Sequence, residues 1–108
     1  MLYVKLICVG KMRERFYLDA FAVALCVEGK QMPSEGMAAL LAERESSGKP
    51  KLCFIVGGSC GLAESVKRRC DRRLSMSEMT FPHHLARVML IEQIYRGFKI
   101  NEGARYHK

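Results

Sequence analysis

The sequence predicts an α/β domain built on a largely parallel sheet, with helices on both faces. Three observations predict it. Apolar runs fall at residues 3–9, 23–27 and Lys51–Val56; glycine follows each, at Gly10, Gly29 and the pair Gly57-Gly58; and helical spacing recurs between and after them. The runs are rich in Val, Ile, Leu and Cys, the composition of strands covered on both sides. At 108 residues the chain has room for one domain and one core. So small a domain buries a modest fraction of its surface, which favours burial against a partner subunit.

Taken in order, the first strand opens with the alternation Met1-Leu2-Tyr3-Val4-Lys5, which lacks the segment order of a secretory signal. Residues 12–21 then read as a helix with Met12, Phe16 and Ala20 on one face. That helix runs into the strand at Val23 with no Gly, Pro, Asn or Ser between. A helix-to-strand reversal takes a loop of roughly two to six residues. The expectation is one domain over residues 1–108 from which a connecting segment is missing near 21–22. After the second strand, Pro33-Ser34 starts a helix in which Met37, Leu40 and Leu41 repeat at helical spacing. Residues 62–69 form another, and 82–97 a longer third, with Pro82 in its first turn and Thr80 as its cap. On this last helix Leu85, Val88 and Met89 read as packing positions, and Glu92 and Arg96 as an i, i+4 pair.

No apolar stretch is long enough to span a bilayer. Cys8, Cys26, Cys53, Cys60 and Cys70 make an odd count without C-x-x-C spacing, so they read as reduced core thiols of a cytoplasmic protein rather than as disulfides or zinc ligands. The adjacent His83-His84 does not match a metal-ligand spacing either, and no metal is expected. The net charge of +7 gives a field that attracts polyanions, concentrated at Lys67, Arg68, Arg69, Arg72 and Arg73. From charge alone that cluster is as well read as a solvated helix face as a phosphate contact.

Three clusters can carry chemistry. Leu25 to Lys30 and Phe54 to Leu62 are strand ends running into glycines, and in open α/β sheets ligands collect beyond the carboxyl ends of strands. Neither fits the dinucleotide or P-loop fingerprint, so plain turn glycines compete with a cofactor loop. The third is the C-terminal part. Hydroxyls and imidazoles crowd residues 74–84 ahead of the last helix, and the chain ends Asn101-Glu102-Gly103-Ala104-Arg105-Tyr106-His107-Lys108. Glu92–Arg96 is either a surface ion pair or part of a site. The tail either frays or stacks Tyr106 on a base while Arg105 or Lys108 meets phosphate.

Gly57-Gly58-Ser59-Cys60-Gly61-Leu62, Leu74-Ser75-Met76-Ser77, Met79-Thr80-Phe81-Pro82-His83-His84-Leu85-Ala86-Arg87, Glu92-Gln93-Ile94-Tyr95-Arg96 and the ending Gly103 to Lys108 resemble the RlmH family of SPOUT-class methyltransferases. The resemblance runs from Val23 to Lys108 almost without interruption and more loosely before it. Family members are longer, and the shortfall lands at the abrupt helix-to-strand junction. The resemblance implies the SPOUT fold, with a deep trefoil knot in the C-terminal half, and a homodimer. It implies transfer of a methyl group from S-adenosyl-L-methionine to N3 of pseudouridine 1915 in helix 69 of 23S ribosomal RNA, on the assembled ribosome. It places Leu25, Gly29, Gly57, Gly58, Gly61, Leu74, Ser75, Met76, Ser77 and Met79 around the cofactor. Glu92 would lie near the cofactor and the dimer interface, and His83, Arg87, Arg105, Tyr106 and Lys108 would face RNA.

Pseudouridine N3 carries a hydrogen, so attack requires a proton acceptor at about 2.6–3.2 Å. His107 suits neutral conditions; water is the alternative, with Arg96 or Arg105 stabilising charge on the ring oxygens. Two other readings stand beside this one. The same knotted enzyme acting on another structured RNA, such as transfer RNA, and a non-catalytic RNA- or ribosome-binding protein both account for the basic surface.

Overall fold

The computed structural model describes residues 2–8, 19–57 and 62–107. Their elements are β1 (Tyr3–Cys8), β2 (Phe21–Lys30), α1 (Ser34–Glu45), β3 (Lys51–Val56), α2 (Glu64–Arg69), β4 (Arg72–Leu74) and α3 (His83–Asn101). The strands form one four-stranded sheet in the order β1-β3-β2-β4, with every neighbouring pair parallel.

Alternation along β3 divides the core. Leu52, Phe54 and Val56 join Val23 and Leu74 beneath Met37, Leu40 and Leu41 of α1 and Leu90 and Ile94 of α3. Cys53 and Ile55 face the other way with Ala20 and Ala22, and Leu62, Val66 and Cys70 pack there. Each large side chain removed from water in this way contributes about 1.5–3 kcal/mol. β1 is an edge strand: Tyr3 and Lys5 are exposed, while Val4 and Leu6 pack on the core.

α1 and α3 meet at Gly97, where an added Cβ would lie 2.7 Å from Leu41 Cδ1 and 3.3 Å from the Ala38 nitrogen. Ser34 Oγ donates to Gln93 Oε1 (2.6 Å), and Asn101 Nδ2 donates to the Ala38 carbonyl (3.0 Å). Both bonds tie the first turns of α1 to the C-terminal half of α3.

Several boundaries correct the sequence reading. Phe21 opens β2 instead of closing a helix, Ala20 before it is a bend, and residues 12–18 of the expected first helix lie outside the described residues. β2 continues through Glu28 and Gly29 to Lys30, so Gly29 lies in the strand rather than after it. The helix expected from Leu62 starts at Glu64, and Arg72 and Arg73 belong to a short strand, not to a basic helix face. Thr80 does not cap α3; Pro82 is its N-cap residue, and no side chain bonds the helix end. α3 also continues past Gly97, which the contact with α1 buries, to Asn101. Its core face is Leu90, Ile94 and Gly97. The expected packing positions Leu85 and Val88 are exposed instead, at 47% and 63%.

Candidate functional site

β2 departs from regular pairing where it matters most. Val23, Ala24 and Leu25 pair in register with Arg72, Arg73 and Leu74, and then Lys30 pairs with Leu74 again, so residues 26–29 leave the ladder and return to it. The return is tight. Ser75 N donates to the Lys30 carbonyl (3.0 Å), and a Cβ on Gly29 would stand 2.8 Å from the Arg73 carbonyl carbon and from Leu74 N and C. Only glycine lets the two backbones approach so closely.

The segment after β4 is held by its own hydroxyls. Ser75, buried, donates from Oγ to the Ser77 carbonyl (2.9 Å), and Ser77 Oγ accepts from Met79 N (3.0 Å). Folded in this way, it faces the excursion of β2 across a cleft of about 100 Å³. Leu25, Cys26, Val27 and Val56 form one side, at the carboxyl ends of β2 and β3; Met76, Ser77, Met79, Thr80, Phe81 and Ala86 form the other. Apolar side chains dominate the walls, and the polar groups are a few hydroxyls and main-chain atoms. Lys67 of α2 forms an ion pair with Glu28, tethering the excursion from behind. That pairing holds the Glu28 carboxyl below its usual range and raises the lysine. Burial, with Glu28 adding to it, pushes the Cys26 thiol up.

Met76 also borders two neighbouring hollows, one with Leu74, Ser75 and Gln93 and one with Val88, Met89, Glu92 and Gln93. The second leads to a polar cluster on α3. Glu92 Oε2 accepts from Arg96 Nη2 (2.8 Å), Arg96 Nε (3.1 Å) and Tyr106 Oη (3.0 Å), and Glu92 Oε1 accepts from Gln93 Nε2 (2.9 Å). The Arg96 guanidinium above all holds this carboxyl below the ordinary glutamate range, and accepting from Tyr106 raises the phenol. The Tyr106 ring meets Tyr95 edge-on at 4.9 Å and lies under Arg96. His107 Nδ1 is 3.1 Å from Arg96 Nη1, and His107 Nε2 is 3.0 Å from Glu35 Oε2. The tail is thus docked between α1 and α3.

Of the expected cofactor residues, Leu25, Met76, Ser77 and Met79 line the cleft, and Leu74 and Ser75 line the hollow beside it. Gly29 forms the backbone crossing behind the cleft, and Gly57 follows β3 directly. Gly58, Gly61 and Lys108 lie outside the described residues. Glu92, Arg96 and His107 come together as one cluster. Arg96, however, is ten residues beyond the cleft-lining Ala86 on α3, about 15 Å along the axis. His83 and His84 stack with ring centroids 4.0 Å apart at the start of α3, near Arg87, while Arg105 is exposed. The basic cluster is largely paired: Arg73 with Glu64, Arg69 with Asp71, and Lys67 with Glu28, while Arg72 lies over Phe21. Sequence reasoning missed Glu35 because its partner is 72 residues away. Val56 and Phe81 fall within the clusters read from the sequence, though without a role of their own, and Ala86, a plain helix position, carries no chemical signature. Among the described residues no group of His, Cys, Asp or Glu could hold a metal, and no helix is long and apolar enough to cross a membrane.

The family model described as "Predicted SPOUT methyltransferase" matches residues 11–107. Three similar curated proteins are each named "Ribosomal RNA large subunit methyltransferase H". That of Bifidobacterium adolescentis is 51% identical over 90 residues, 83% of this chain and 57% of its own length. That of Bacillus pumilus is 48% identical over the same shares, and that of Clostridioides difficile is 45% identical over 93% of this chain and 60% of its own. The chain therefore spans 57–60% of the length of these relatives. With nearly all of its residues inside that family model, the chain belongs to the SPOUT methyltransferase family.

Proposed function

We propose that the cleft between residues 25–27 and 76–81 binds S-adenosyl-L-methionine, and that the chain works as a homodimer methylating large-subunit ribosomal RNA. The acceptor in this reading is N3 of pseudouridine 1915 in helix 69 of 23S ribosomal RNA, on the assembled ribosome. One observation carries it: an apolar cleft at the carboxyl ends of two parallel strands, bounded by the excursion of β2 and by the serine-tied segment. The residues fit the cofactor. Leu25, Val27, Val56 and Phe81 offer apolar walls to a flat adenine, and Ser77 with the adjoining main chain offers hydrogen bonds to ribose. When bound, S-adenosyl-L-methionine supplies a methyl group already activated on a sulfonium. The protein's part is then to orient donor and acceptor, which is worth up to about 7–11 kcal/mol of the barrier. We also read the β2 excursion, laid across Leu74 and Ser75, as the rim of the family's deep trefoil knot.

The dimer is supported by two observations. Leu85, Val88, Ile91 and Tyr95 leave one side of α3 apolar and exposed. Arg96 also lies about 15 Å along α3 from the cleft-lining Ala86, and in this reading the tail of one subunit serves the donor of the other. His83, Arg87, Arg105, Tyr106 and Lys108 form the RNA face in this reading, and His107 takes the N3 proton. The relatives' greater length supports a further inference, that a segment expected before β2 is missing from this chain. Methyl transfer from labelled cofactor to ribosomes lacking the modification, followed by mapping of the methylated base, tests the assignment. Transfer to a different RNA refutes the substrate. Failure to bind the cofactor in titration refutes the enzyme and favours an RNA-binding protein.

A further inference from the structure

We propose that Glu35 is a positioning residue for proton transfer, forming with His107 a carboxylate–imidazole pair that makes Nδ1 the basic nitrogen of the ring. This rests on the methyltransferase reading above and names the atom and the support it leaves open. The argument starts from donors and acceptors. A guanidinium only donates, so the Arg96 Nη1 that stands 3.1 Å from His107 Nδ1 makes that nitrogen an acceptor. The ring proton therefore sits on Nε2, 3.0 Å from Glu35 Oε2, and is donated there. The charged and titratable groups around the ring are Glu35 from α1, Arg96 and Glu92 from α3, and Tyr106 beside it in the tail. Glu35 stands in the first turn of α1, which the bond from Ser34 to Gln93 ties to α3.

In this docked state Nδ1 is covered by Arg96. A uracil-type imide offers both a proton for Nδ1 and an oxygen for the guanidinium, so it replaces one contact with two. The imide N3–H bond breaks and its proton passes to Nδ1. The N3 electron pair forms the new bond to the methyl carbon, the carbon–sulfur bond breaks, and its electrons leave on sulfur as a neutral thioether. Glu35 holds the resulting imidazolium through Nε2–H, and Arg96 faces the oxygen on which negative charge builds. The pair acts as an orienting carboxylate does for a general base.

The first measurement needs no turnover. In the full chain labelled with ¹⁵N-histidine, His107 shows an unprotonated Nδ1 and a protonated Nε2, and Glu35→Ala returns its signals toward those of a free histidine. Glu35→Gln keeps an acceptor and loses the charge. It is expected to slow transfer about 10–100-fold, part of the ~10²–10⁴ that positioned proton transfer supplies, with cofactor affinity unchanged. Glu35→Asp recovers part of the rate. Glu35 is exposed enough that these variants fold, its side chain keeping 65% of its accessible surface. A ring protonated on Nδ1, or a Glu35→Gln variant with unaltered rate, overturns the proposal. Absence of cofactor binding in the unaltered chain sinks the methyltransferase reading and this one with it, whereas the tautomer result sinks this one alone.

Discussion

Replacing Gly29 with alanine tests whether the crossing of β2 over β4 sets the shape of the cleft. The added Cβ would stand 2.8 Å from three main-chain atoms of Arg73 and Leu74 at once. Carbon contacts settle at about 3.5–4.0 Å, so the strands must part by roughly 0.7 Å or more, and no side chain can rotate to absorb it. Overpacking of this kind costs about 1–3 kcal/mol. Loss of the Ser75-to-Lys30 hydrogen bond adds about 1 kcal/mol. Alanine returns about 0.4–1 kcal/mol by restricting the unfolded chain. The net is destabilisation of about 1–3.5 kcal/mol, or a fall in Tm of roughly 5–25 °C for a domain of this size. Because residues 25–27 and 76–81 face each other across this crossing, cofactor affinity should fall at least about tenfold, the equivalent of ~1.4 kcal/mol. Gly48→Ala is the control, since nothing lies within 4 Å of its Cβ, and it should leave Tm unchanged or slightly raised. Thermal unfolding and calorimetric titration of both variants decide the matter. A Gly29→Ala protein with the parent Tm and cofactor affinity would refute the reasoning.

Gly97→Ala should be milder, near the lower end of the ~1–3 kcal/mol for overpacking, because its first obstacle is the mobile tip of Leu41; a Tm loss as large as that of Gly29→Ala would contradict this. Docking of the tail should depend on pH through Glu92. Its carboxyl is depressed in the folded chain, so the stabilisation is complete above the unfolded glutamate value of about 4.3 and is lost as pH falls through the lower folded value. Tail release followed by NMR should show that midpoint below 4.3, and Glu92→Gln should abolish it; a tail that stays docked regardless would remove Glu92 from the role. Cys26 should react slowly with iodoacetamide at neutral pH, since its thiol is pushed up, and more slowly still with cofactor bound, since it borders the cleft. Peptide-level mass spectrometry reads both effects, and rapid labelling indifferent to cofactor would contradict the placement.

What the sequence disclosed follows from where physics is local. β3 was legible because burial on both faces leaves an unbroken apolar run, and α1 because Met37, Leu40 and Leu41 repeat at helical spacing. The far half of β2 was not. Glu28, Gly29 and Lys30 are poor strand formers, held in the sheet by Leu74 and Ser75 some 45 residues on. Nor was β4, whose three residues include two arginines and so read as part of a charge run. Gly97 looked like a helix stop because a glycine usually is one; here α1 lies against it, and the helix continues. Leu85 and Val88 looked like core because apolar spacing marks a covered face without saying which molecule covers it. Around the site, Leu25 and residues 76–79 were found from strand ends and family resemblance, whereas Glu35 needed the fold, because no sequence spacing connects it with His107.

α3 shows how a chain this small combines stability with chemistry. Its buried side, Leu90, Ile94 and Gly97, fixes it to α1 and the sheet. Its polar line, Glu92, Gln93 and Arg96, docks the tail and ties α1 through Ser34. On its apolar side Leu85, Val88 and Ile91 remain exposed among the described residues. These sides cannot be exchanged, since rotating the helix by one residue, about 100°, would bury Glu92 or expose Ile94. The register that satisfies the core therefore also fixes where Arg96 presents His107, about 15 Å along the helix from the cleft-lining Ala86. In the proposed dimer the proton acceptor of one subunit serves the methyl donor of the other, and assembly is then a condition of catalysis as well as of burial.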